Sequence, residues 1–215
     1  MWQSRYSLTD SDIGIKPGTN RPMSITADAV HFMHHAGHIE LLRSSFQGGG
    51  DDGFNVHGNF IVLRSITGPK RVTYIDETGP GWITAAPTFF VGDEVTFYAR
   101  LTLQSLGTNV IAEATPGEVV FARPLPASLK RFDMFISAKR VASLDMRRCF
   151  FGNSNARGAV VSAVNVSIVG NTFANLSHPG LIFIEGGTGA WQYSRPCAKK
   201  YVCQFWSCII HIISL

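Results

Sequence analysis

The sequence predicts an all-β protein, a parallel β-helix interrupted by a small antiparallel β-barrel insertion. Three observations point there. Ile39 to Phe46, Leu144 to Phe151 and Val166 to Phe173 each span seven positions, and six residues beyond each phenylalanine stand Asp52, Arg157 and Pro179. Each of those is followed by a glycine-led apolar run: Gly53-Phe54-Asn55-Val56, Gly158-Ala159-Val160-Val161 and Gly180-Leu181-Ile182-Phe183. A repeat in the low twenties with short strand-like runs and an Asn-x-Phe corner at Asn171-Thr172-Phe173 suits stacked coils, and the Leu-x-x-Leu-x-Leu signature of leucine-rich repeats is missing. Low charge (16%) with 21 glycines among 215 residues fits a β-rich chain with many tight turns.

Residues 1–58 carry the first coils. The polar, turn-rich start (Lys16-Pro17-Gly18) reads as one imperfect coil over 1–24, and 25–58 as two coils bearing acids. Residues 59 to about 138 break the repeat. Alternating runs at Phe60-Ile61-Val62-Leu63, Arg71-Val72-Thr73-Tyr74-Ile75, Glu94-Val95-Thr96-Phe97-Tyr98 and Val119-Val120-Phe121, separated by Gly and Pro turns, predict the inserted barrel. Gly92-Asp93-Glu94 reads as a hairpin turn before a strand. Residues 139–191 resume the coils, and 192–215 form a divergent, Cys-rich tail.

The segment Gly50-Asp51-Asp52-Gly53-Phe54-Asn55-Val56-His57-Gly58 is the chemical centre. Neighbouring side chains of a strand point to opposite faces, so two acids share a face only where the backbone bends. Gly50 and Gly53 are expected to permit that bend. Ala27-Asp28-Ala29-Val30-His31-Phe32 has the same pattern 24 residues earlier. Stacked coils repeat at about 4.8 Å, so Asp28 is expected one coil from Asp52, with Arg157 in the same register on the next. Crowded carboxylates repel, and at least one is expected to keep its proton to high pH. A protonated acid beside an ionised partner is what glycosidic cleavage requires.

These motifs, with Gly37-x-Ile39-Glu40 and Ala156-Arg157-Gly158, resemble the α-1,3-galactosidases of glycoside hydrolase family 110. The resemblance runs from about residue 15 to about residue 191. It implies a right-handed parallel β-helix, a pectate-lyase-like solenoid, that cleaves terminal α-linked galactose with inversion. By that analogy Asp28 is the general acid, while Asp51 and Asp52 hold and deprotonate the attacking water, with the three roles open to permutation. That assignment carries an expected carboxyl separation of roughly 6.5–9.5 Å. His31, Asn55, His57, Arg157, Glu185 and Trp191 are the candidate substrate-binding residues, with locking of an Asp as another role for the histidines. The resemblance fails after Trp191. Two other readings remain open: a non-catalytic β-helix carbohydrate-binding or cell-surface protein, and a polygalacturonase-like hydrolase.

The remaining signals mostly exclude. The net charge of +4 comes with no basic run beyond Lys70-Arg71 and Lys199-Lys200, so no nucleic-acid partner is expected. No segment reaches the roughly twenty apolar residues of a membrane span. His31, His34, His35, His38 and His57 cluster, but adjacent His34 and His35 are expected on opposite faces of a strand, and neither metal nor cofactor is expected. Cys149, Cys197, Cys203 and Cys208 lack zinc-site spacing; they suit a disulfide if the protein is secreted. Met1-Trp2-Gln3-Ser4 leads into polar residues, so no signal peptide is read. The resemblance implies an extracellular or secretory location, hence an incomplete start. Oligomeric state is not legible.

Overall fold

The computed structural model describes residues 4–58, 60–75, 89–137, 141–185, 202–205 and 210–214. Among the described residues there is no helix, and none long and apolar enough to cross a membrane. The described residues divide into two units, one made of those up to His57 and from Val141 on, the other of the stretch between.

The first unit is made of parallel stacks that the chain visits in the same order on each circuit. The first circuit is β1 (Ser4–Thr9), β2 (Asp12–Ile13) and β3 (His31–Met33); the second is β4 (Gly37–Leu42), β5 (Ser45–Gln47) and β6 (Phe54–His57). After the six barrel strands β7 to β12, described below, come β13 (Ser143–Arg147), β14 (Phe150–Ser154) and β15 (Ala159–Val161). The next circuit is β16 (Val164–Leu176) and β17 (Leu181–Glu185), and β18 (Val202–Phe205) and β19 (Ile210–Ser214) follow. One stack runs β1-β4-β13-β16-β18, a second β2-β5-β14-β16, and a third β3-β6-β15-β17-β19, every pairing parallel. The long strand β16 pairs β13 with its first half and β14 with its second, which joins two stacks into one eight-stranded sheet.

The register repeats the spacing read from the sequence. Leu144 pairs Ile39 and Val166, Phe151 pairs Phe46 and Phe173, and Ala159 pairs Phe54 and Leu181. The apolar repeat positions point inward and form one core, with Ile39, Leu144, Phe46, Phe151 and Phe54 essentially inaccessible. Phe46, Phe151 and Phe173 lie nearly parallel, with centroids 4.8 and 5.1 Å apart. That is the strand spacing, so each ring fills one layer and excludes water from the next.

The corners have their own chemistry. The residues after β1, β4 and β13 are left-handed (Asp10, Arg43 and Arg148, φ 51, 49 and 54°), and Gly170 inside β16 matches them at 65°. A second left-handed corner recurs at Gly48, Asn153 and Asn175, conformations that Asn and Gly tolerate best. Asn171, at the bend of β16, is fully buried; its Oδ1 accepts from the Cys149 amide (2.8 Å) and its Nδ2 donates to the Met146 carbonyl (2.9 Å). Cys149 is buried and free, and burial pushes its thiol up, away from reactivity.

The expected coil boundaries shift. A single circuit runs from Ser4 to Met33, so Asp28 sits at the end of the first circuit and Asp52 near the end of the second. The stretch between β2 and β3 has no strand, only a bridge from Ile25 to Gly49, and Pro17 and Pro22 in it lack ladder donors. His34 and His35 follow β3 rather than lying in it. His34 is left-handed (φ 55°), so the alternation argument applied to that pair does not hold.

The second unit is a closed barrel in the order β10-β11-β8-β7-β12-β9. Its strands are β7 (Ile61–Gly68), β8 (Arg71–Ile75), β9 (Glu94–Tyr98), β10 (Ser105–Thr115), β11 (Glu118–Phe121) and β12 (Met134–Ser137), all paired antiparallel. Phe97, Phe121 and Phe135 meet at its centre with centroids 5.1 to 5.9 Å apart. Four of the six strands match the runs read from sequence. β10 is hidden by Gly107 and Asn109, residues that suggest a turn. Gly107 instead marks a register shift at φ 128°, and buried Asn109 uses its amide to hold Arg123 N and O. β12 is short and wholly buried, without alternation. Gly92 and Asp93 form the expected turn, with Asp93 Oδ2 accepting from Phe90 N.

Candidate active site

The third corner of each circuit is where chemistry gathers. Asp28, Asp52, Arg157 and Pro179 each precede a third-stack strand. The backbone stacks them directly: Ala29 N donates to Asp52 O (2.9 Å), Gly53 N to Arg157 O (3.1 Å) and Gly158 N to Pro179 O (3.4 Å). Glycine follows three of these corners, Asp52, Arg157 and Pro179, for a different reason than expected. Neither Gly50 nor Gly53 is left-handed. A Cβ on Gly53 would lie 2.7 Å from Gly158 O and 2.9 Å from a Phe151 ring carbon. Space, rather than a bend, demands glycine there, because the stacked phenylalanine crowds the corner.

Arg157 crosses to Asp52 with a two-pronged grip, Nε to Oδ1 at 2.7 Å and Nη2 to Oδ2 at 2.9 Å. The Asp52 side chain is 1% exposed, the guanidinium side chain 33%. Burial pushes the Asp52 carboxyl up to about 6, against the pull of Arg157, and the charges of Asp28 and Asp51 push the same way as burial. Asp51 is exposed, and its Oδ1 accepts from the Asp52 amide at 3.0 Å.

Asp28 is the third acid. Its side chain is 12% exposed, its Oδ2 accepts from Asn55 Nδ2 at 3.1 Å, and the same oxygen is 3.2 Å from His31 Nδ1. Burial raises the Asp28 carboxyl above the usual range, with His31 and Asn55 opposing and Asp51 reinforcing. His31 Nε2 is in turn 2.8 Å from His57 Nε2. Asp28, Asp51 and Asp52 each offer an oxygen within 4.8 Å of the others. That is the approach of one oxygen from each acid; the group-to-group distance that distinguishes inverting from retaining sites is longer. Carboxylates this close can hold a cation. Here both Asp52 oxygens accept from Arg157 and Asp28 Oδ2 faces Asn55 and His31, so part of the donor set is engaged by protein partners.

Of the nine candidate residues, Asp28, His31, Asp51, Asp52, Asn55, His57 and Arg157 converge. Asn55 and His57, expected against the sugar, are only 4% and 3% exposed. They bear on the site through Asp28 and His31, and burial, not residue type, decides this. The Asn55 Oδ1 has no hydrogen-bond partner. The Glu185 side chain and Trp191 lie outside the described residues, as do Cys197 and Cys208 and the Cys203 side chain. His38 bonds Ser143 Oγ from β4 (3.0 Å), and His35 packs on Phe32 with its imidazole held below the usual range by burial. The histidine cluster in the sequence is therefore not one group in space.

Three acids of unequal environment, Asp51 exposed, Asp28 part-buried and Asp52 buried, the last two with raised pKa, lie beside a guanidinium and offer groups suited to acid–base chemistry. Known proteins fall in line with this. No family model matches the chain. The α-1,3-galactosidase A of Shewanella woodyi is 30% identical over 88% of this chain and 31% of its own length. The α-1,3-galactosidase B of Akkermansia muciniphila is 26% identical over 92% of this chain and 25% of its own. That named α-1,3-galactosidase A from Streptomyces avermitilis is 27% identical over 92% and 34%. The chain is a distant relative of these proteins and spans about a quarter to a third of their length. Among solved structures, the Pseudomonas phage phi297 tailspike gp61 aligns over 73% of this chain and 40% of its own at a TM-score of 0.24 and 10% identity, too weak a likeness to assign a fold.

Proposed function

We propose that this chain carries the catalytic carboxylates of a glycoside hydrolase for terminal α-linked galactose, on a right-handed parallel β-helix of the kind found in glycoside hydrolase family 110. The observation that carries the reading is the convergence of Asp28, Asp51 and Asp52, with oxygens within 4.8 Å, on one strip of stacked corners. The distant kinship with proteins named α-1,3-galactosidase supports it. Right-handed winding is supported by the general hand of parallel crossovers.

In this reading Asp28, largely buried with its carboxyl raised, protonates the leaving oxygen. Asp51, exposed, takes the proton of the attacking water, and buried Asp52, in the grip of Arg157, positions Asp51 through its amide. Balance is simple for inversion: the glycosidic C–O bond breaks, water oxygen bonds the anomeric carbon, Asp28 loses a proton and Asp51 gains one. A second reading, retention with a carboxylate as nucleophile, is compatible with oxygens within 4.8 Å of one another. An extracellular or secretory location goes with either.

The test is hydrolysis of an α-1,3-linked galactoside by the chain, with Asp28→Asn as control. Galactose release that the substitution abolishes supports the reading. Saccharide binding without turnover by the folded chain would instead mark a non-catalytic carbohydrate-binding protein.

A further inference from the structure

We propose that Asp28, His31 and His57 hold one proton in common, and that this shared proton is the one delivered to the leaving oxygen. The inference rests on the hydrolase reading for its consequence, though not for its geometry.

The geometry is a line of two short contacts. His57 Nε2 and His31 Nε2 are 2.8 Å apart, and His31 Nδ1 is 3.2 Å from Asp28 Oδ2. Between two ring nitrogens at that distance there is room for one hydrogen. If both carried N–H groups there, the two hydrogens would clash, so the pair accepts one proton beyond its neutral state and resists a second. The rings are tilted by 46° with centroids 4.9 Å apart, an edge-on approach that suits N–H···N contact rather than stacking.

One extra proton on this line has two resting places. In the first, His57 bears hydrogens on Nδ1 and Nε2, His31 bears one on Nδ1, and Asp28 is a carboxylate. In the second, the His57 Nε2 hydrogen has moved to His31 Nε2 and the His31 Nδ1 hydrogen to Asp28. Two N–H bonds break, one N–H and one O–H bond form, and the total charge is unchanged. Asp28 is then the acid and both rings are neutral. The three groups therefore lose that proton as a unit, at a pH set by the triad and not by the carboxyl alone. His57, 3% exposed, never meets the substrate in this scheme; it is a positioning residue acting through His31, whose side chain is 30% exposed and exchanges protons with water.

The surroundings suit one shared positive charge. Around the triad stand Asp51, Asp52 and Arg157 along the same strip, and His34 and His35 after β3. On the other side of β6, β15 pairs through Ala159, Val160 and Val161, none ionisable. Sharing a proton with two imidazoles keeps Asp28 supplied at pH values where a lone carboxyl would be empty.

The test follows the His31 and His57 ring nitrogens by 15N NMR and the Asp28 carboxyl by 13C NMR in the intact chain and in His57→Gln. Glutamine can still donate to His31 Nε2 but stores no proton. The expectation is one common midpoint for all three signals in the unsubstituted chain, and a midpoint about one pH unit lower in the variant. On an α-galactoside, kcat of His57→Gln should fall about tenfold above the limb with KM unchanged, and match the unsubstituted chain below it. Three separate midpoints, or a midpoint unmoved in the folded variant, overturn the proposal. Should His57→Gln fail to fold, His31→Gln reads the same coupling, since His57 must then titrate independently of Asp28. If no galactoside is cleaved, the hydrolase reading fails while the NMR midpoints still decide the shared proton.

Discussion

Arg157 holds both oxygens of Asp52 from 105 residues along the chain, at 2.7 and 2.9 Å. The pair exists because the third circuit stacks directly on the second, across the whole length of the barrel segment. The carboxyl that Arg157 holds is 1% exposed.

Removing the guanidinium should therefore cost more than a surface ion pair. Arg157→Met leaves a buried carboxylate unpaired, and about 3 kcal/mol of stability should be lost at pH 7.5, the low end for a buried pair because the guanidinium is a third exposed. Urea denaturation measures it. At pH 4.5 the loss should shrink, since Asp52 is then protonated. Equal losses at both pH values would mean the pair is not what holds the corner.

The raised Asp52 pKa also fixes the sign of a pH dependence. With about 6 in the folded chain against 3.8 unfolded, the folded state binds more protons between these values. Stability on Asp52's account falls as pH rises through that window, by at most about 1.4 kcal/mol per pH unit. Asp52→Asn should remove this component, so the difference between the two stability curves should slope between pH 4 and 6 and flatten above. A difference curve flat throughout would show that Arg157 keeps Asp52 ionised.

Asp28 and Asp51 should separate by leaving group. Asp28→Asn should lower kcat by about 10²–10⁴ on a sugar leaving group and far less on nitrophenolate, which departs without a proton. Asp51→Asn should lower both alike. Parallel losses in the two variants would remove the acid and base assignments.

Stereochemistry can be read directly. If Asp51 activates water, the first galactose released is the β-anomer, visible by proton NMR before mutarotation. An α-anomer would instead mark a covalent, retaining route.

Gly53 offers a purely steric test. Gly53→Ala should destabilise by about 1–3 kcal/mol, as overpacking does, because the added methyl meets Gly158 O at 2.7 Å. Thermal unfolding checks it, and a neutral substitution would mean the corner has slack.

Much of this was legible in the residues alone. The phenylalanines at 46, 151 and 173 and the runs after Asp52, Arg157 and Pro179 recur because each layer must present the same inward side chains to the layer beside it. Periodicity therefore determined the register of the stacks, and with it the common strip of Asp28, Asp52 and Arg157. Tertiary structure alone decided the rest. Burial hides Asn55 and His57 from any ligand, packing makes Gly53 a matter of volume, and ring geometry sets His31 and His57 nitrogen to nitrogen. β10 and β12 needed their partners too, since a barrel strand with Gly107 or without alternation is recognisable only once its neighbours supply the missing hydrogen bonds and walls. A linear chain records which residues repeat; how closely their atoms approach is settled only when the layers close on one another.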